Sequence, residues 1–118
     1  MGRKGFKDLI VWKRAKDLAV FVYRATEDGS LSRDYGLRDQ IRRSAVSIAS
    51  NIAEGDERDT DKEAVRFFFI AKGSLAELKT QIQIAYEIGY LKKQVYETIE
   101  ADCEELGKMI GGIIKHRQ

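Results

Sequence analysis

Three serines on one helical stretch, Ser44, Ser47 and Ser50, together with a single histidine, His116, and a single cysteine, Cys103, are the side chains most suited to nucleophilic or general-base chemistry. A Ser-His-Asp arrangement needs the imidazole within hydrogen-bond reach of the hydroxyl. His116 lies in the basic end of the chain and would have to fold back to reach any of the serines. A carboxylate-bridged di-iron bundle needs Glu-x-x-His pairs on facing helices, and the sequence holds no such pair. The glycines stand at helix ends or inside helical patterns, never in a phosphate-cradling loop after a strand. A lone cysteine allows neither an intrachain disulfide nor a cysteine-rich metal site. Cys103 also falls on an apolar helical stripe, the setting of a buried structural thiol. The expectation is therefore no enzyme: no catalytic residue, no metal ligand and no cofactor site.

Charge offers a different chemistry, the binding of anions. Residues 3–24 carry seven basic side chains, Lys13 and Lys16 among them, against Asp8 and Asp17. Arg33, Arg38, Arg42 and Arg43 form a second basic group, while residues 54–63 and 97–105 are acidic. Phosphate contacts need such clustered cations, so Lys13, Lys16, Arg38, Arg42 and Arg43 are the candidate nucleic-acid contacts. The plainer reading pairs Lys13 with Asp17 and Asp39 with Arg43 as i,i+4 ion pairs that solubilise a helix. No RNA-binding aromatic motif accompanies the basic residues, and the formal net charge is only +2.

Between those arginines and the first acidic block runs "RRSAVSIASNIAEGDERDT". Small and hydroxylated residues are mediocre helix filler, so their density needs a reason. Ile41, Ala45, Ile48 and Ile52 form an apolar seam; Gln40, Ser44, Ser47, Asn51 and Glu54 form a second stripe beside it. Ala45, Ala49 and Ala53, spaced four apart, let another backbone approach closely, and Gly73, Ser74 and Ala76 offer small residues to meet them. The expectation is a tight helix interface with Ser47 and Asn51 hydrogen-bonded inside it; the alternative is a solvated face.

Those stripes belong to four helices. Apolar residues at helical spacing mark the first over about residues 8–28, on Val11, Ala15, Leu18, Val22 and Ala25, with Gly29 ending it. A second spans about residues 34–54, stopped by Gly55. A third follows a Thr60–Glu63 capping box and continues to Ile88 on Ala64, Phe68, Ala71, Leu75, Leu78, Ile82 and Ala85. Gly89 should close it, with Tyr90 making the hydrophobic contact of a C-cap. The fourth follows Tyr96, Ile99, Cys103, Leu106, Ile110 and Ile113. Gly111 and Gly112 cost it about 2 kcal/mol of helix propensity, which predicts fraying of its last turns. Short connections between four such helices predict an all-α, antiparallel up-down-up-down four-helix bundle.

The third helix carries "RFFFIA". Phe67, Phe68, Phe69 and Ile70 step by about 100° each and point around most of the circumference, so one core cannot take all four. Self-association is the expectation, with Phe67, Phe69 and Gly73 joining Ser47, Ala49 and Asn51 as candidate oligomer or close-packing residues.

At 118 residues the chain is expected to be a single domain, 1–118. It has no proline, and 34% charged against 43% hydrophobic residues suits amphipathic helices. No apolar run approaches a membrane span, and "MGRKGFKDL" lacks the apolar stretch of a signal peptide. A soluble cytoplasmic protein is expected.

The run "YGLRDQIRRSAVSIASNIAEG" followed by "RFFFIAKGSLAELKTQIQIAYEIGYL" resembles the small four-helix-bundle proteins encoded in intervening sequences of 23S ribosomal RNA genes. "DLIVWKRAKDLAVFVYRAT" is similar to that family's first helix, so the resemblance spans nearly the whole chain. A proline familiar in the middle of the family's "SIxxN" is replaced here by Ala49 and Ser50, which should straighten the second helix. The resemblance implies an antiparallel four-helix bundle assembled into a ring-shaped homopentamer, in a family for which no enzymatic activity is established. It also implies a possible partner in RNA or an RNA-associated protein, so a nucleic-acid-binding accessory factor is the alternative function.

Overall fold

The computed structural model describes residues 5–118, so Arg3 and Lys4 of the basic N-terminal group lie outside the described residues. A 3-10 turn at Phe6–Asp8 precedes five α-helices: α1 Ile10–Ala25, α2 Gly29–Arg33, α3 Tyr35–Asp56, α4 Asp61–Glu87 and α5 Lys93–Arg117. No strand occurs among the described residues. The body measures 46 × 23 × 22 Å. Its long axis is close to the roughly 40 Å that 27 helical residues in α4 span at 1.5 Å each.

The helix ends follow local chemistry. Asp34 caps α3 by accepting a hydrogen bond from Leu37 N at 3.2 Å, and Thr60 caps α4 by accepting one from Glu63 N at 3.2 Å. At the far end of α4, Gly89 takes φ +83°. Its N–H bonds Tyr86 O at 3.0 Å while Tyr90 N–H bonds Ala85 O at 2.8 Å. These are the two bonds of a Schellman motif, and only glycine takes that φ without strain. Tyr90 then packs, half-buried, against the core.

Glycine behaves otherwise at three predicted breaks. The first helix stops at Ala25, because Thr26 turns its hydroxyl back to Val22 O at 2.9 Å. Gly29 therefore does not end that helix but begins the short α2, which buries Leu31. Gly55 does not end the second: α3 continues through it to Asp56. A β-carbon on Gly55 would stand 2.6 Å from Phe68 Cε1, 2.9 Å from Phe68 Cδ1 and 3.0 Å from Ala64 O. The residue is small because the neighbouring helix needs the space. Gly111 and Gly112 do not fray the last helix, which stays helical to Arg117. There the Arg117 guanidinium reaches Asp56 at 2.9 Å and Asp61 at 3.5 Å, fastening the final turn to the α3–α4 connection.

One apolar cluster joins all five helices, and Phe68 is its bulkiest fully buried side chain. The predicted stripes supply most of it, but Ile114 rather than Ile113 takes the last buried position of α5, Ala25 and Tyr96 are only half-buried, and Leu31 and Leu91 join from outside the stripes. The most extensive contact is α3 on α4; α4 also packs on α5, and α1 on α3 and α5. Leu78, Ile82 and Ile48 are fully buried, so truncating any of them to alanine should cost about 2–5 kcal/mol.

Candidate interaction surface

The hydroxylated stripe of α3 faces α4. Ser47 Oγ and Ser74 Oγ share a hydrogen bond of 2.9 Å. Asn51 Nδ2 donates to Ser47 Oγ at 3.0 Å and to Ser47 O at 2.8 Å. Ser44 and Ser74 are buried. Short side chains that hydrogen-bond one another let the two helices approach without stranding a donor. The Gly55–Phe68 contact continues the same seam. At its end the Asp56 side chain is 2% exposed and meets Arg117, whose guanidinium also lies 5.7 Å from the Phe68 ring.

The candidate nucleic-acid residues divide. Arg42 is spent inside the chain: Nε donates to Thr26 Oγ1 at 2.8 Å, one terminal nitrogen donates to Tyr23 O at 3.4 Å, and the guanidinium sits 4.5 Å over the Tyr23 ring. It satisfies a carbonyl at the C-terminus of α1, where a cation also suits the helix dipole. Arg38 donates to Ser32 O at 3.1 Å and to Asp39 Oδ1 at 3.0 Å. Asp39 thus pairs with Arg38 and not with Arg43, and Asp17 pairs with Lys16 at 2.6 Å and not with Lys13. Both expected i,i+4 pairs give way to sequence neighbours. Arg43 and Lys13 stay exposed, with no ion pair among the described residues.

Around α4 the aromatic run separates by direction. Phe68 is buried, Phe67 is half-buried with Arg58 4.3 Å over its ring, and Phe69 and Ile70 are each 48% exposed. Further along the same outward side lie Gly73, Ala76, Ile84 and Ile88. A β-carbon on Gly73 would meet nothing within 4 Å, so Gly73 takes no part in packing within the chain. On another side of the molecule, α1 and α3 leave an open groove of about 610 Å³ between them. Ala19, Ala49 and Ala53 are among its lining residues, beside Trp12, Val20 and Val46. Ala49 therefore borders the groove and not the hydrogen-bonded seam.

The groups with catalytic potential stand apart. His116 is exposed on the last turn of α5, whereas the hydrogen-bond partners of Ser47 are Ser74 and Asn51. Burial pushes the Cys103 thiol up to about 12, which holds it protonated and inert at neutral pH. Among the described residues no group of His, Cys, Asp and Glu could hold a metal ion, and no helix is long and apolar enough to cross a membrane.

The sequence reading missed the Arg117–Asp56 clamp and the role of Gly55. The signal for Gly55 was the buried aromatic rhythm of α4; the clamp joins residues too distant in sequence to leave one.

One family profile, described as 23S rRNA-intervening sequence protein, matches residues 7–112. A solved structure shares the fold with a TM-score of 0.82 and 24% identity, covering 90% of this chain and 99% of that one. It is a protein of unknown function from the S23 ribosomal protein family of Bacteroides thetaiotaomicron. No match was found among curated proteins.

Proposed function

The chain belongs to the 23S rRNA-intervening sequence protein family, and from that premise we propose that it is a non-enzymatic assembly module of the cytoplasm. In this reading its four long helices form an antiparallel up-down-up-down bundle, and copies of the bundle join into a homo-oligomer, the pentamer implied by the family resemblance. The connections at 57–60 and 88–92 support the bundle, being too short to let successive long helices run parallel.

The observation that carries assembly is the outward face of α4, where Phe69, Ile70, Ile84 and Ile88 are each about half exposed. Large apolar side chains left half exposed along one helix mark a contact surface more often than a monomer's solvated side. Light scattering on the purified protein tests this: several chains per particle are expected, and a monomer at micromolar concentration overturns it. Phe69→Asp should lower the mass while leaving helical circular dichroism intact.

A second reading, a nucleic-acid-binding accessory factor, is favoured by the exposed cations Lys13 and Arg43. If they contact phosphates, RNA affinity should fall steeply with salt, since each neutralised phosphate releases counterion, and Arg43→Gln should weaken binding. The assembly reading expects no salt-sensitive RNA binding. Arg42→Gln is not a clean probe, because it removes the bonds to Thr26 and Tyr23 and should cost about 1.5 kcal/mol of stability.

A further inference from the structure

We propose that neighbouring copies join head to tail, with the outward face of α4 of one copy seated in the groove between α1 and α3 of the next. This rests on the homo-oligomer reading above and names its two surfaces.

The surfaces complement each other in shape. The α4 face is a ridge: Phe69 and Ile70 project from a helix whose Gly73 has nothing within 4 Å. The groove is a trough of about 610 Å³; Ala19, Ala49, Ala53, Val20 and Val46 are among its lining residues, with aromatic and charged side chains of α1 beside them. Val20 and Val46 are 44% and 41% exposed. Ser50, also lining the groove, leaves α3 low where Ile70 would approach. Ridges entering grooves are how helices pack, with axes about 8–10 Å apart.

Charge fixes the direction. On the outward rim of α3, Arg43 and Glu54 are eleven residues apart; on the α4 ridge, so are Arg66 and Glu77. Each interval rises about 16 Å and returns to nearly the same side of its helix. With α4 running antiparallel to the neighbour's α3, Arg66 meets Glu54 and Glu77 meets Arg43. The parallel arrangement would set arginine on arginine and glutamate on glutamate. Arg43, Arg66 and Glu77 have no ion pair among the described residues, and Glu54 has only the exposed Arg58 at 3.6 Å. Ridge and groove involve different helices, so the contact is heterologous and repeats around a ring or along a filament.

The test uses one defect in each surface. Phe69→Asp disables the ridge and Val46→Asp the groove, with Val20→Asp as the substitute if Val46→Asp does not fold. The wild type should exceed two chains, and each variant alone should be monomeric with helical circular dichroism retained. An equimolar mixture of a ridge variant and a groove variant should give a 1:1 complex, because one intact ridge and one intact groove remain. A mixture that stays monomeric overturns the proposal. So does a groove variant that keeps the wild-type mass while Phe69→Asp is monomeric, or a wild type of two chains; each of these leaves the homo-oligomer reading standing. A monomeric wild type sinks that reading itself.

Discussion

Helix α3 meets its two long neighbours in opposite ways with the same kinds of residue. Toward α4 its small side chains are closed over: Ser47 bonds Ser74, Asn51 bonds Ser47, and Gly55 admits the Phe68 ring. Toward α1 its small side chains, Ala49 and Ala53, line an open groove. The difference lies in what stands opposite. A bulky ring or a matching hydroxyl fills the space a small residue leaves, whereas Ala19 on α1 does not. Small residues permit close approach, and the partner decides whether a seam or a trough results.

The largest break in this comparison should come from closing the closed side further. In Gly55→Leu, the new β-carbon alone would overlap Phe68 and crowd the backbone oxygen of Ala64. Overpacking a buried site typically costs about 1–3 kcal/mol, and here the backbone contact puts the loss at about 3 kcal/mol, read as a lowered urea midpoint at unchanged m-value. Adding Phe68→Leu should restore part of that loss. A stability equal to wild type would show that α3 and α4 are not in close contact at this point.

A leucine at each of two small positions sharpens the contrast. Ser47→Leu removes the two hydrogen bonds of the hydroxyl and enters the seam, so thermal stability should fall by about 2 kcal/mol. In the Phe69→Asp background, where the groove stays empty, Ala49→Leu extends into open space and should change the stability of the chain by less than about 0.5 kcal/mol. Equal thermal shifts for the two variants would remove the distinction between seam and trough.

How much of this was legible in the sequence depends on distance along the chain. The helical stripes, the Thr60 cap and the Gly89 stop rest on neighbours within one or two turns; the structure places the cap and the stop where the sequence does, and most of the stripes, with Ile114 taking the place of Ile113. Gly29 and Gly55 were misread because glycine has two uses, backbone freedom and lack of a side chain. Only the Phe68 ring, thirteen positions away, says which one applies at Gly55. Arg42 looked like a phosphate ligand because its partner Thr26 lies across a turn, sixteen residues back. The Arg117–Asp56 pair spans 61 residues and has no local signature at all. The groove was hidden for a further reason: alanines at four-residue spacing read alike whether a neighbour fills the space beside them or leaves it open.

The smallest expected effect concerns pH. The α3–α4 seam at Ser47 is held by neutral groups, whereas α5 is tied at its rims by ion pairs, Arg14–Glu105 to α1 at 2.9 Å and Lys79–Glu104 to α4 at 2.6 Å. The hydrogen bond from Arg14 holds the Glu105 carboxyl below the usual carboxylate range, and the one from Lys79 does the same for Glu104. A carboxyl whose folded pKa is depressed contributes stability that is fully present above its unfolded pKa and is lost as pH falls through the folded value. Acidification below the ordinary carboxylate pKa should therefore loosen the rims of α5 while leaving the Ser47 seam untouched. Both pairs are largely exposed, so the effect should be modest and should shrink with added salt. Amide hydrogen exchange mapped along the chain reads it, with protection in α5 declining before protection in the middle of α3 as pH falls, after correction for intrinsic exchange rates. Simultaneous loss in α3 and α5 would mean that the bundle responds to acid as one cooperative unit, and the contrast between neutral seam and charged rim would then carry no separate stability.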